Sequence, residues 1–243
     1  MVTINKILKL ILFVLIVGLL SGCMYNNNTS NSTNPAVVKD SLTLVQAAVD
    51  SYRTATGVLP IKNFDSSTST YEQYVIDFKK IIDRGFLGEI PSNSFEKGGA
   101  NYYVLIDAEE KPQVKLLDLL SLQQLNDLQS QIDTYRLNNR GLIPSKSIYQ
   151  SGWYYIDYEK LKIDKPVILS PYSKQPTEIL VALDGQLVLD YAADISKAMK
   201  LLAVNNPPAD IDLRTYLVQA SYYVPGRSAA YYWNNNQPQI AEP

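Results

Sequence analysis

The stretch Leu42–Pro60, LTLVQAAVDSYRTATGVLP, decides the fold, because the chain writes it a second time. Leu42, Val45, Val49, Asp50, Tyr52 and Arg53 return 83 positions later as Leu125, Leu128, Ile132, Asp133, Tyr135 and Arg136. Each set then runs out of helical pattern into Gly-apolar-apolar-Pro, Gly57-Val58-Leu59-Pro60 in one case and Gly141-Leu142-Ile143-Pro144 in the other. Agreement in both spacing and residue type points to an internal duplication. Within the first copy, Leu42, Val45, Val49 and Tyr52 step by three, four and three, which lays one apolar stripe along a helix. Pro35 suits a first helical turn, and Gly57 with Pro60 is a stop.

Outward from that stretch, a second, shorter helix is expected over Tyr71–Arg84, with Tyr74, Ile76 or Phe78, Ile81 and Ile82 apolar. Gly85 ends it and Pro91 closes the connection. Asn101–Ile106 and Val114–Leu117 are β-formers about a polar turn, a β-hairpin. The second copy keeps this order. Its long helix is expected over Leu119–Asn138, Tyr154-Tyr155-Ile156-Asp157-Tyr158 answers Tyr74-Val75-Ile76-Asp77-Phe78, and Lys160 answers Lys80. A hairpin then turns at Asp184-Gly185, the pair best suited to a type I′ connection. A shortened third copy is read at the end. Ile195, Met199 and Leu202 begin a stripe that Asn205-Asn206-Pro207-Pro208 stops, and Asp210–Gln219 would be its second helix. Tyr231-Tyr232-Trp233 and Gln237-Pro238-Gln239-Ile240 would be its hairpin. The expected fold class is α+β, a tandemly repeated helix–helix–antiparallel β-hairpin module over residues 36–118, 119–191 and 192–243. The strand–helix–strand alternation of parallel sheets is absent.

The N-terminus reads differently. Lys6 and Lys9 flank an apolar run from Leu10 to Leu20, too short for a comfortable membrane span of about 20 residues, and small residues follow it. That is the pattern of a secretory signal over residues 1–22. Leu20-Ser21-Gly22-Cys23 resembles the bacterial lipobox. The resemblance implies that Cys23 receives a diacylglyceryl group and becomes the first mature residue, anchored in membrane lipid by its acyl chains. Residues 23–35, rich in asparagine, serine and threonine, cannot bury enough apolar area to fold and read as a flexible tether.

Composition excludes much. The 243 residues carry a formal net charge of −2, and removing residues 1–22 takes away two lysines and no acids, leaving −4. No broad basic field exists for nucleic acid. The chain has no histidine, which removes the commonest general base, the usual serine and cysteine triads and most zinc sites. Its one cysteine leaves no internal disulfide.

What remains is sparse. Ser94-Phe95-Glu96-Lys97 fits Ser-x-x-Lys, but an acylating serine needs a helix start and a Lys-Thr-Gly strand, and here Gly98-Gly99 follow at once. Asp107, Glu109 and Glu110 are the densest carboxylates and fall in a hairpin turn, where solvated acids are ordinary, so a calcium site is a remote reading. The pairs Tyr52-Arg53 and Tyr135-Arg136 are expected to be structural. Each tyrosine ends an apolar stripe, and each arginine would bond helix-end carbonyls or Asp50 and Asp133. The functional alternative is an arginine presented to a ligand carboxylate. Tyr222, Tyr223, Tyr231, Tyr232 and Trp233 make the end of the chain its most aromatic part, and exposed rings there suit a protein or glycan interface.

A helix ending in Asp-Thr-Tyr-Arg with Gly and Pro beyond, then Gly85-Phe86-Leu87, Ile90-Pro91 and a tyrosine-rich hairpin, resembles the heads of type II secretion pseudopilins and type IV pilins. In those families the head follows a membrane helix that assembles filaments; here a lipobox stands in its place. As a whole the chain resembles Gram-positive surface lipoproteins. The expected function is that of a lipid-anchored protein on the outer face of the bacterial cytoplasmic membrane. It is read as a non-catalytic module without a cofactor that binds another envelope protein or glycan. A solute-binding subunit of an ABC transporter is the first alternative, and a cell-wall hydrolase, which would need a carboxylate pair about 5–10 Å apart, is the second.

Overall fold

The computed structural model describes residues 35–63 and 69–243. The signal, Cys23 and the tether up to Asn34 lie outside the described residues. Helix α1 (Pro35–Thr56) takes Pro35 into its first turn and buries Val38, Leu42, Val45, Ala48, Val49 and Tyr52, the stripe read from the sequence. Gly57, at φ +75°, closes it by donating from its N–H to the Arg53 carbonyl at 2.8 Å.

The helix expected over Tyr71–Arg84 is corrected to one short turn, α2 (Phe78–Ile82). Asp77 is extended and its side chain accepts from the Lys79 N–H, so the helix cannot begin earlier. Before it, Val75 bridges Val104 and Ile76 bridges Ile61, both antiparallel. These β-branched residues find strand partners instead of continuing a helix. Strands β1 (Asn101–Ile106) and β2 (Gln113–Asp118) form the expected hairpin, with Tyr103 opposite Leu116 and Leu105 opposite Val114.

The second unit repeats this plan. Helix α3 (Leu119–Asn138) buries Leu125, Leu128 and Ile132, and the Asp118 carboxylate caps it at the Ser121 N–H. Strand β3 (Ser145–Gln150), which the alternation of Ser145–Gln150 did not reveal, pairs with β4 (Trp153–Ile156). The short helix α4 (Tyr158–Leu161) follows a second capping aspartate, Asp157. Strand β4 pairs with β5 (Ile179–Ala182), and β5 with β6 (Leu187–Leu189), all antiparallel. Ile179 stands opposite Leu189 and Val181 opposite Leu187, as Tyr103 and Leu105 stand opposite Leu116 and Val114. Matching bonds recur elsewhere. The Asp77 N–H donates to the Pro60 carbonyl at 2.8 Å and the Asp157 N–H to the Pro144 carbonyl at 2.7 Å. Lys80 Nζ reaches the Ile61 carbonyl at 2.7 Å, and Lys160 Nζ the Ser145 carbonyl at 2.8 Å. The two units therefore share strand order, direction and hairpin register.

The last segment keeps the helix–helix–hairpin order with α5 (Ala192–Leu201), α6 (Arg214–Ala220), β7 (Tyr231–Asn234) and β8 (Gln237–Ile240). Leu202, expected on the buried stripe, is exposed just past the end of α5. Residues 192–243 build no separate core. Ile195, Met199, Leu213, Leu217, Tyr231 and Ile240 pack into the core of the second unit. Between its helices and its hairpin, Tyr222–Ser228 runs along both units. The Leu116 N–H donates to the Tyr222 carbonyl at 2.8 Å, and the Leu189 N–H donates to the Arg227 carbonyl at 2.9 Å. Leu116 and Leu189 are corresponding positions of β2 and β6, so this one segment covers the last strand of each unit. A small cluster of Val104, Leu117, Val218 and Val224 seals the junction.

Candidate functional site

The aromatic residues expected to form one interface separate into two places. Tyr231 lies at the start of β7 and is fully buried, which removes it from any surface. Its hydroxyl donates to Asp190 Oδ1 at 2.7 Å and accepts from the Tyr191 N–H at 3.1 Å, while the Tyr149 hydroxyl donates to Asp190 Oδ2 at 2.7 Å. Burial first, and then the Asp190 carboxylate, push the Tyr231 phenol well above its ordinary pKa. Strand alternation turns Tyr232 outward, exposed, and Trp233 back against the core.

Tyr222 and Tyr223 sit at the other place. Tyr223 bridges Leu116 in parallel and packs half-buried on the core of the first unit, whereas Tyr222 stays exposed. They line a groove of about 470 Å³ together with Pro35, Val38, Lys115 and Lys174. Lys115 Nζ is held by the Val218 and Ser221 carbonyls at 2.6 and 2.7 Å, at the end of α6. Burial lowers its ammonium below the usual lysine value. Lys174 Nζ lies 5.1 Å from the centre of the Tyr223 ring. A second groove of about 580 Å³ adjoins through Pro171 and Lys174, and its walls carry the exposed side chains of Leu120, Val167 and Leu169. Three exposed aliphatic side chains thus stand beside an exposed tyrosine on one open face.

The largest of the cavities described, about 740 Å³, lies where the two units and the last segment meet. Three of its charged residues are already engaged. Arg214 grips the Asp212 carboxylate and the Ser228 carbonyl, Glu72 Oε1 accepts from the Arg227 N–H at 2.7 Å, and Arg227 Nη2 donates to Asn126 Oδ1 at 2.5 Å. Trp153 Nε1 donates to the Ala241 carbonyl at 2.7 Å.

The arginines of the tyrosine–arginine pairs lie at the hairpin turns, and this corrects their expected partners. Arg53 donates to the Glu109 and Glu110 carbonyls at 3.2 and 3.4 Å, not to helix-end carbonyls or to Asp50. Arg136 lies against Gly185 in the corresponding turn, its Nε buried without a hydrogen-bond partner. Tyr52 is buried edge-on to Phe86 at 6.1 Å, whereas Tyr135 is half-buried. Sequence reading missed Gln46 and Gln129, which also hold these turns. They stand 83 residues apart like the rest of the repeat, and that spacing was the signal.

Neither remote chemical reading gains a geometry. Ser94 is buried and its hydroxyl bonds to Glu96, which pairs with Lys62 at 2.7 Å, while Lys97 is exposed. Asp107, Glu109 and Glu110 lie exposed in the β1–β2 turn. Asp107 Oδ2 there accepts from Gln113 at 3.2 Å, and no three acidic, cysteine or histidine residues converge among the described residues.

Residues 38–118 match the YphF family N-terminal domain. That span runs from the first buried residue of α1 to the end of β2, and thus covers the first unit. No curated protein and no solved structure matches the chain.

Proposed function

We propose that the chain is a lipid-anchored extracytoplasmic lipoprotein of the Gram-positive surface type, whose folded part binds another envelope protein or glycan without catalysing a reaction. The two matching units are, on this reading, copies of one packing module of the kind that resembles pilin heads. The observation that carries the proposal is the order Leu10–Leu20, Leu20-Ser21-Gly22-Cys23, polar tether, and then α1 opening at Pro35 on the wall of the Tyr222–Tyr223 groove. Eleven residues separate Cys23 from Pro35, a reach of about 40 Å at most at roughly 3.5 Å per residue step. The groove therefore lies at the tethered end of the folded part. On this reading attachment rests on the acylated Cys23.

The cleft of about 740 Å³ between the units favours a second reading, a transporter's solute-binding subunit. Against it, Glu72, Arg214 and Arg227 in the cleft are engaged within the protein, and Tyr222–Ser228 ties both units together where a hinge would have to open.

The test is a photo-crosslinking residue in place of Tyr222 in intact cells, compared with the same change in Cys23→Ala. The expected result is a discrete adduct in the membrane fraction of the first. Release of the second to the medium, or its retention as unprocessed precursor, should follow. Unchanged size, unchanged membrane retention and unchanged lipid labelling in Cys23→Ala would sink the anchoring. The absence of any adduct would sink the groove.

A further inference from the structure

Asp194 is the one carboxylate in the described residues that is buried, at 6% exposure, and it has neither a hydrogen bond nor an ion pair. It sits in the first turn of α5, where the positive end of the helix dipole favours a negative side chain. Its carboxylate oxygens are not among the enclosed polar atoms without a partner, so they open into the space beside them. That space is a pocket of about 180 Å³, also walled by Tyr172, Ala198, Leu201, Leu217 and Ala220. It is smaller than the grooves and the cleft described above. The Ser173 and Ser221 side chains stand at its polar edge.

We propose that this pocket binds a primary ammonium group on a short aliphatic arm, with the Asp194 carboxylate as its counter-ion and the Tyr172 ring and the Leu201 and Leu217 side chains around the arm. A carboxylate combined with an aromatic wall and apolar sides is the chemistry that recognises an organic cation. A divalent metal fits poorly, because one carboxylate beside two neutral serines and a lysine supplies too few charged oxygen ligands for such an ion. Lys197, three residues on from Asp194 along α5, lines the same pocket, is exposed, and makes no ion pair. It is a built-in competitor whose ammonium can occupy the site when no ligand does. The pocket shares Tyr172, Ala220 and Ser221 with the Tyr222–Tyr223 groove, so a partner lying in that groove could place an amine here. The site itself stands without the lipid anchor.

The experiment is a titration of the full chain, purified in detergent and methyl-labelled on leucine, with n-butylamine and with n-butanol as the neutral isostere. Saturable shifts of the Leu201 and Leu217 methyls are expected with the amine, and binding of the alcohol should be weaker by about tenfold or more. Asp194→Asn should abolish the amine response, and Lys197→Met should tighten it. Should Asp194→Asn lose the native spectrum, Ala220→Leu fills the pocket without touching the charge and should block both probes. Equal binding of amine and alcohol, or an undiminished response in Asp194→Asn, overturns the proposal and leaves ordered water as the only partner of this carboxylate. An unaltered affinity in Lys197→Met would equally remove the shared ammonium position.

Discussion

Two glutamines do at the scale of single residues what a further β-strand would otherwise do. Gln46 Nε2 donates to the Pro112 carbonyl at 3.0 Å while its Oε1 accepts from the Val114 N–H at 2.8 Å. Gln129 repeats both contacts, with the Gly185 carbonyl at 2.8 Å and the Leu187 N–H at 3.0 Å. The second hydrogen of each amide goes to an aspartate one turn on, Asp50 at 3.0 Å or Asp133 at 3.1 Å. Each side chain thus pins its hairpin to its helix with all its donors used. Gln46→Leu or Gln129→Leu would leave a half-buried strand N–H unpaired, and should cost about 1–3 kcal/mol each in urea denaturation. A loss below about 0.5 kcal/mol, ordinary for surface changes, would show the contact to be incidental. The recurrence of this glutamine was readable from the sequence, but its partner was not. A polar residue on the flank of a helix carries no mark of the hairpin that later folds over it.

At the scale of elements, long helices and hairpins were legible because periodicity alone specifies them. The hairpin expected at Asp184-Gly185 forms, but its turn is centred on Leu183-Asp184, with the Gly185 N–H donating to the Ala182 carbonyl at 2.9 Å. Only Gly185 has a positive φ there, so it is not the expected type I′ connection. The stripe of α1 came out as written. Val75-Ile76 and Ser145–Gln150 did not, because each strand is short and its identity depends on partners such as Val104 and Ile156 that lie far along the chain. The glycine that ends α1 and the glycine in the β5–β6 turn differ in how tightly they are held. Gly185, at φ +90°, would place a Cβ 2.6 Å from the Arg136 Cδ, whereas a Cβ at Gly57 would meet nothing. Gly57→Ala should therefore cost only the left-handed backbone penalty of about 1–2 kcal/mol. Gly185→Ala should cost visibly more in thermal denaturation, and adding Arg136→Ala should recover part of the difference. Equal losses in the two single variants would mean that Arg136 moves aside freely and does not brace the turn.

The whole molecule is two like units made into one body by a third segment that has no core of its own. Sequence reading took that segment for another module, since its helices and hairpin come in the same order. What it could not supply was where the segment's apolar faces go, because they are buried on the second unit and along the edges of both. Gly226 lies at the crossing, and a Cβ there would stand 2.6 Å from the Leu117 Cδ1 and 3.3 Å from the Leu122 Cδ2. Leu117 is buried among Val104, Val218 and Val224, so it has no free space to yield. Gly226→Val should overpack the junction by about 1–3 kcal/mol while leaving the cores of α1 and α3 untouched. The native chain should unfold in calorimetry as one transition, with equal calorimetric and van't Hoff enthalpies. In Gly226→Val the transition should broaden or split, the van't Hoff value falling below the calorimetric one as each unit melts by itself. A variant that keeps a single two-state transition at an unchanged Tm would show that Tyr222–Ser228 merely lies over the two units and does not join them.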